Sequence, residues 1–193
     1  MGGGVITALL WLGLRRAALA ASPDAAMEGF YVSGIGEVIS DSDEARMVAL
    51  GEAREDETGA KVVAVTVRFL DGMDIEEYAY QLFNKWQLGQ KDDQNGVLLL
   101  LSVGDRDIWI TVGEDLETKM PASVTGGYLD DYAVPHMRDD DYSTGMRSTY
   151  EALAKKVASI YGVSSLQPAG QSAVNTNTTA YNNSYNNNSN GYY

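Results

Sequence analysis

A single stretch decides the fold: residues 61–101, which read KVVAVTVRFLDGMDIEEYAYQLFNKWQLGQKDDQNGVLLLL. It begins at residues 61–68 with a β-branched run of the kind that favours a strand. It ends at residues 97–101 with a continuous apolar run, which predicts a strand covered on both faces. Between the two runs, apolar residues recur with helical spacing over residues 75–86. The stretch therefore predicts a βαβ unit whose strands are parallel and whose crossover is right-handed.

The flanking sequence adds helices and one more strand. A tight turn at residues 103–106 leads into alternating apolar and polar residues at 107–112, which predict a strand antiparallel to the one before it. An extended stretch is expected at residues 30–39. Helices or helical turns are predicted at residues 40–58, 114–119, 121–132 and 141–161. The order of elements predicts an α/β fold, a three-layer α/β/α sandwich with a small mixed central sheet.

The two ends differ in composition from the middle. Residues 1–27 look like a secretory signal peptide, with a short apolar run followed by small residues before Pro23. A truncated anchor or an unordered leader is the alternative, because the run is shorter than the about 20 apolar residues that a spanning helix needs. Residues 163–193 are rich in Asn, Ser, Thr and Tyr, which predicts a disordered tail. We therefore expect one domain at residues 28–162 of an extracytoplasmic protein, secreted or associated with the cell envelope.

Composition narrows the classes of function. The formal net charge is −13, which argues against nucleic acid as a partner and favours cations or a basic protein surface. The chain has no cysteine, which excludes disulfides and thiolate metal sites. His136 is the single histidine, which argues against a histidine-based triad or a multi-histidine zinc site. Oxygen atoms are therefore the metal ligands that remain in number.

Two acidic segments are expected to meet at one edge of the sheet. The loop before the second strand of the βαβ unit and the segment after the antiparallel strand lie at the same edge. Carboxylates gathered there repel one another unless a cation neutralises them, and Ca²⁺ and Mg²⁺ prefer oxygen ligands. A solvated acidic loop is the alternative, and the spacing matches no EF-hand loop. The candidate metal ligands at this edge are Asp92, Asp93, Asn95, Asp115 and Glu117.

A second acidic run, residues 139–141, precedes the last predicted helix. Acidic residues at this place stabilise the positive end of the helix dipole, so capping is one interpretation. The other is that Asp139 and Asp141 fold over to complete the cation site. Arg106, in the tight turn, is expected at the opposite end of the sheet from Asp92.

The order of motifs over residues 30–161 resembles that of the TPM domain family, named after a thylakoid lumen protein, a photosystem II repair protein and a nematode receptor modulator. The matching elements are DIEEYA at 74–79, Leu82, Phe83, Trp86, Leu88, Gly89, Lys91, NGVLLL at 95–100, Asp105, Arg106, Gly113, Leu116, Glu117, Pro135, Asp141, Tyr142 and Gly145. The resemblance implies an α/β/α sandwich outside the cytoplasm. It also implies Ca²⁺ or Mg²⁺ as a bound ion and an envelope or membrane protein as the partner of a monomeric domain. Because a plant member is described as an acid phosphatase, a metal-assisted phosphatase acting on phosphomonoesters is the alternative function.

The chain departs from the family pattern at several acidic positions. Gly34 stands where the family usually has an aspartate, and Pro121 stands where another is often found. The family's Gly-Tyr-Gly-Leu-Glu motif is replaced by Gly-Glu-Asp-Leu-Glu at residues 113–117. The loss of two carboxylates argues against carrying a catalytic role over to this chain.

Overall fold

A computed structural model describes residues 32–34, 38–88 and 94–163. The leader, the tail after residue 163, and Asp92 and Asp93 lie outside the described residues, and so do the predictions made for them. The strands are β1 (Val32–Gly34), β2 (Val62–Val67), β3 (Val97–Ser102) and β4 (Asp107–Val112). The helices are α1 (Asp41–Thr58), α2 (Ile75–Trp86), α3 (Glu114–Glu117), α4 (Ala122–Tyr128), α5 (Val134–Met137) and α6 (Tyr142–Ile160).

The four strands form one mixed sheet in the order β1-β2-β3-β4. β1 and β3 both run parallel to β2, whereas β4 is antiparallel to β3. The parallel βαβ unit over β2, α2 and β3 and the antiparallel fourth strand are thus as predicted. Only a tight turn joins β3 to β4, and so short a connection requires antiparallel pairing.

Alternate side chains of the central strands feed two separate hydrophobic cores. Val63 and Val65 of β2, with Leu98 and Leu100 of β3, pack against α2. The intervening residues, including Ala64, Leu99 and Leu101, pack with Met47 of α1 and with the apolar face of α6. Because strand side chains alternate between faces, a strand buried on both sides must be apolar at every position. The sheet is therefore the middle layer of the predicted α/β/α sandwich.

The predicted helix at residues 121–132 is interrupted. α4 ends at Tyr128, a π-helical turn follows at Leu129–Ala133, and α5 is a separate short helix. Pro135 supplies the physical reason, because it has no N–H to donate to the carbonyl four residues earlier. A wider π-helical turn accommodates such a missing bond without breaking the chain's helical course.

Two glycines allow the backbones at the start of β3 and the end of β4 to approach closely. The N–H of Gly113 donates to the carbonyl oxygen of Gly96 at 2.9 Å, one pair beyond the β3–β4 ladder. A Cβ at residue 113 would overlap the carbonyl oxygen of Gln94, and one at residue 96 would lie 2.5 Å from the carbonyl oxygen of Leu88. The absence of a side chain at both positions is therefore what lets α3 follow β4 at this edge of the sheet.

The opposite end of the β3–β4 hairpin is held by Asp105. Its carboxylate accepts hydrogen bonds from the hydroxyl of Ser102 at 2.6 Å and from the N–H of Leu70 at 2.7 Å. These bonds, the one from Ser102 foremost, lower the pKa of Asp105 because they stabilise its charged form. The Asp105 carboxylate thus links the β3–β4 turn to the segment that follows β2.

Within the described residues, no helix has both the length and the apolar character required to cross a membrane.

We predict that Gly113→Ala destabilises the domain by about 1–3 kcal/mol, the usual cost of forcing extra atoms into a packed site. The clash is with backbone at Gln94, which a change of side-chain rotamer does not relieve. Urea unfolding measures the effect. Gly127→Ala is the matched control, because a Cβ there meets no heavy atom within 4 Å and residue 127 lies in α4.

The control substitution should be neutral or stabilising, by up to about 1 kcal/mol, since alanine favours a helix over glycine. Equal unfolding free energies for the two variants would contradict the close approach at Gly113.

Candidate binding groove at the acidic edge

A groove of about 910 Å³ runs along β4. One wall is α2, and the other is the segment that leads from α3 into α4. We call it the β4 groove. Its lining residues are Asp74, Glu76, Glu77, Tyr80, Phe83, Asn84, Gln94, Trp109, Ile110, Thr111, Val112, Gly113, Glu114, Glu117, Met120, Pro121, Ala122 and Thr125.

The β4 groove follows the edge of the strand rather than one face of the sheet. Five consecutive residues, 109–113, contribute to its lining. Successive side chains in a strand point to opposite faces, so a groove above one face would touch only every second residue. In the part of the chain that the structure describes, β4 ends the sheet and no strand pairs with its outer edge. The groove therefore runs along the outer edge of β4.

Acidic residues line both walls of the groove. Asp74, Glu76 and Glu77 come from the start of α2, and Glu114 and Glu117 come from α3. All five are exposed to solvent. None of the described lining residues is a lysine, an arginine or a histidine. The groove is therefore a region of negative potential that attracts cations and basic groups.

Aromatic and apolar side chains form the floor between these carboxylates. Phe83 and Met120 are buried, Trp109 is half-buried, and Tyr80 is 59% exposed. Phe83 and Trp109 also belong to the core between α2 and the sheet. The floor is thus continuous with the hydrophobic core and is held in place by its packing.

The acidic residues at the start of α2 also stabilise the end of the helix. Asp74 is the N-cap of α2, and its carboxylate accepts the N–H of Glu76 at 2.9 Å and that of Glu77 at 3.3 Å. Acidic residues in the first turn further complement the helix dipole. The same residues therefore stabilise the start of the helix and give the wall of the groove its negative charge.

Of the predicted ligands, Glu117 lines the β4 groove and Asp115 does not. Gln94 also lines it, and Asp93 is the residue before Gln94 in the chain. The segment before β3 and the segment after β4 therefore reach the same edge of the sheet, as the topology predicted.

Asn95 is a buried structural residue and not an exposed candidate ligand. It is 2% exposed, and its side-chain amide donates to the carbonyl oxygen of Gly59 at 3.3 Å. Gly59 is the left-handed C-cap of α1. The side chain thus joins the end of α1 to the start of β3, and this contact explains an asparagine directly before the apolar strand.

The structure does not bring Asp139 and Asp141 into this groove. The neighbouring Asp140 forms an ion pair at 2.8 Å with Arg106, which lies in the β3–β4 turn. Glu117 lies at the other end of the hairpin, beyond the six residues of β3, which span roughly 20 Å. Two carboxylates that share one Ca²⁺ must lie within about 5 Å of each other, so no single ion bridges the two ends.

The capping interpretation of this second run is confirmed. Asp141 is the N-cap of α6, and its carboxylate accepts the N–H of Thr144 at 3.2 Å. Hydrogen bonding by the side chain and the N–H of Thr144 lowers the pKa of Asp141 below its ordinary value. Asp139 is exposed at the same end of the molecule.

No group of three acidic or histidine side chains within residues 32–34, 38–88 and 94–163 is arranged to hold a metal ion by itself. Glu114, Glu117 and Gln94 nevertheless offer the hard oxygen donors that Ca²⁺ and Mg²⁺ take. A cation site at this edge would therefore need a ligand from Asp92 or Asp93 in addition.

The contribution of α2 and of Trp109 to the groove was not predicted from the sequence. Glu76, Tyr80 and Phe83 recur at helical spacing and share one flank of α2, which is a visible signal in the sequence. Placing that flank beside β4 requires knowledge of how the helix packs on the sheet. Periodicity alone does not supply it.

Three solved bacterial structures share the fold. The N-terminal domain of a protein from P. gingivalis, solved by solution NMR, is 21% identical over 68% of this chain and 83% of its own, with a TM-score of 0.63. BA42 protein from the psychrophilic Bizionia argentinensis is 16% identical over 66% of this chain and 86% of its own, with a TM-score of 0.55. The N-terminal domain of cg2496 protein from Corynebacterium glutamicum is 19% identical over 80% of this chain and 97% of its own, with a TM-score of 0.54.

No curated protein matches the sequence. The family model described as the TPM domain matches residues 34–156. This span runs from the last residue of β1 to within α6 and includes both acidic segments and both close-approach glycines. The chain therefore belongs to the TPM domain family.

Proposed function

We propose that this protein is a divalent-cation-binding module that serves protein interactions outside the cytoplasm. The observation that carries the proposal is the β4 groove, where five carboxylates from α2 and α3 stand at one sheet edge without a basic residue among the described lining. Such a concentration of negative charge favours a bound cation or a basic partner.

The cation would bind where α3 meets the loop before β3. Glu117 and Glu114 are the described carboxylates at that point, and Asp92 and Asp93 belong to the adjoining loop. The donors are all oxygen atoms, which suits Ca²⁺ or Mg²⁺ and does not suit a soft metal. The ion would reduce the repulsion among the carboxylates and stabilise the loop against the edge of the sheet.

The extracytoplasmic location remains a prediction from the leader. The acidic surface and the lack of cysteine are compatible with this location but do not require it. The envelope or membrane protein expected as partner is likewise a prediction, and a basic surface on that partner would match the groove.

Calorimetric and thermal titrations of the chelated full-length protein with Ca²⁺ and Mg²⁺ test the cation site. At a free cation concentration of 100 times Kd, binding to the native state alone should add about 2.7 kcal/mol to the unfolding free energy. Glu117→Gln and Asp93→Asn should each weaken binding about tenfold or more, since even outer-shell partners of a metal are worth that much.

Asp115→Asn is the matched control, because Asp115 is exposed and adjacent in sequence but lies outside the groove. It should leave the affinity within about twofold of the unmodified protein, as expected for a screened surface charge. Absence of any stabilisation at millimolar cation, or equal losses in all three variants, would refute the cation site.

A metal-assisted phosphatase is the second candidate function. The name of the matched family model, TPM phosphatase, favours it. In such a reaction a bound cation holds a phosphoryl oxygen while water attacks phosphorus. Gly34 and Pro121, at positions where the family carries aspartates, speak against efficient catalysis in this chain.

Hydrolysis of p-nitrophenyl phosphate with and without Ca²⁺ or Mg²⁺ tests this alternative. If the β4 groove is only a binding site, the unmodified protein and a variant carrying Asp92→Asn, Asp93→Asn and Glu117→Gln should show the same background rate. A cation-dependent rate at least about a hundredfold above that of the variant, in the range of general acid–base contributions, would establish the phosphatase instead.

A further inference from the structure

The outer edge of β4 offers backbone hydrogen-bonding groups in a known order. In antiparallel strands, bonded and non-bonded residue pairs alternate. Gly113 is bonded to Gly96, and the register continues without a break to the pair Ser102 and Asp107. The alternation therefore directs the N–H and C=O groups of Ile108, Ile110 and Val112 away from β3. Ile110 and Val112 line the β4 groove, whereas the N–H of Ile108 donates to the carboxylate of Asp107 at 2.9 Å.

Among the residues that the structure describes, nothing gives this edge the usual protection against another strand. Native edges are blunted by proline, by bulges, by charged side chains or by a covering element. β4 contains no proline, its register with β3 has no bulge, and its only charged residue is Asp107 at the turn. What stands beside the edge is an open groove with an aromatic floor. An extended segment of chain fits that shape.

The walls of the groove select the charge of such a segment. Glu76 and Glu77 stand on one side and Glu114 and Glu117 on the other. Side chains of an added strand would alternate towards these two walls. Lysine or arginine at those positions would gain favourable electrostatic interactions, whereas acidic residues would be repelled.

We propose that the β4 groove binds an extended, lysine- or arginine-bearing segment of another polypeptide, which adds to the sheet as a fifth strand beside β4. Backbone hydrogen bonds to Ile110 and Val112 supply affinity, and the carboxylates of α2 and α3 supply specificity. The inference deepens the interaction role in the proposed function and does not require the cation.

The tail of the chain and a second copy fit the groove less well. Residues 164–193 contain no lysine or arginine, so the tail has no charge complementary to the walls. A second copy would bring its own acidic groove against the first, and like charges at such a contact are unfavourable. Charge complementarity therefore assigns the edge to a basic partner.

Fluorescence anisotropy with a labelled short peptide in which pairs of lysines alternate with pairs of valines, so that lysines face both walls, tests the proposal on the full-length protein in chelator. The same peptide with glutamate for lysine should show no binding. A version N-methylated on alternate residues keeps the charge but lacks the donors of one edge. Its affinity should be lower by about tenfold or more, because several backbone hydrogen bonds are lost together.

Paired protein variants locate the binding site. Glu76→Lys should weaken the lysine peptide about tenfold or more, because it places a like charge in the groove wall. Glu52→Lys, on an exposed position of α1, makes the same change of charge elsewhere and should alter the affinity by less than about twofold. Circular dichroism spectra of both variants verify that the fold is retained.

Amide hydrogen exchange gives the most specific signature. Bound peptide should slow exchange at Ile110 and Val112, whereas Trp109 and Thr111 already bond to β3. Lack of binding, equal binding of the N-methylated peptide, equal effects of the two charge variants, or self-association through β4 would each overturn the proposal. Because the assay contains chelator, its outcome is separate from that of the cation titration.

Discussion

The hydrogen bond from Gly113 to Gly96 is the contact on which the functional edge depends. It extends the antiparallel pairing past the last residues of β3 and β4, and it is possible only because neither position carries a side chain. α3 begins at the next residue, so Glu114 and Glu117 are delivered beside the segment that precedes β3. A larger residue at position 113 would displace the acidic helix from the groove.

The opposite end of the hairpin is built for a different purpose. Asp105 holds the β3–β4 turn against the segment after β2, and Arg106 pairs with Asp140 before α6. These charged groups bond to one another or to the backbone, whereas Glu114 and Glu117 of the β4 groove are exposed to solvent. The charged residues of the family motif thus have a structural role at one end of the hairpin and line an open groove at the other end.

Much of this arrangement is predictable from the sequence because its causes are local. The apolar run at residues 97–101 requires cover on both faces, and the short turn after it requires an antiparallel neighbour. The position of residues 139–141 could not be predicted from the sequence. It depends on the ion pair between Asp140 and Arg106, which is distant in the chain. The α2 wall of the groove was missed for a similar reason, since it arises from packing and not from any one segment.

The proposed cation site joins the segment before β3 to the start of α3. Paramagnetic line broadening by substoichiometric Mn²⁺, observed in amide NMR spectra of the full-length protein, tests this placement. We expect the signals of Gln94, Glu114 and Glu117 to disappear first while those of Arg106 and Asp140 persist. Broadening centred on residues 139–141, or spread evenly over the acidic surface, would contradict it.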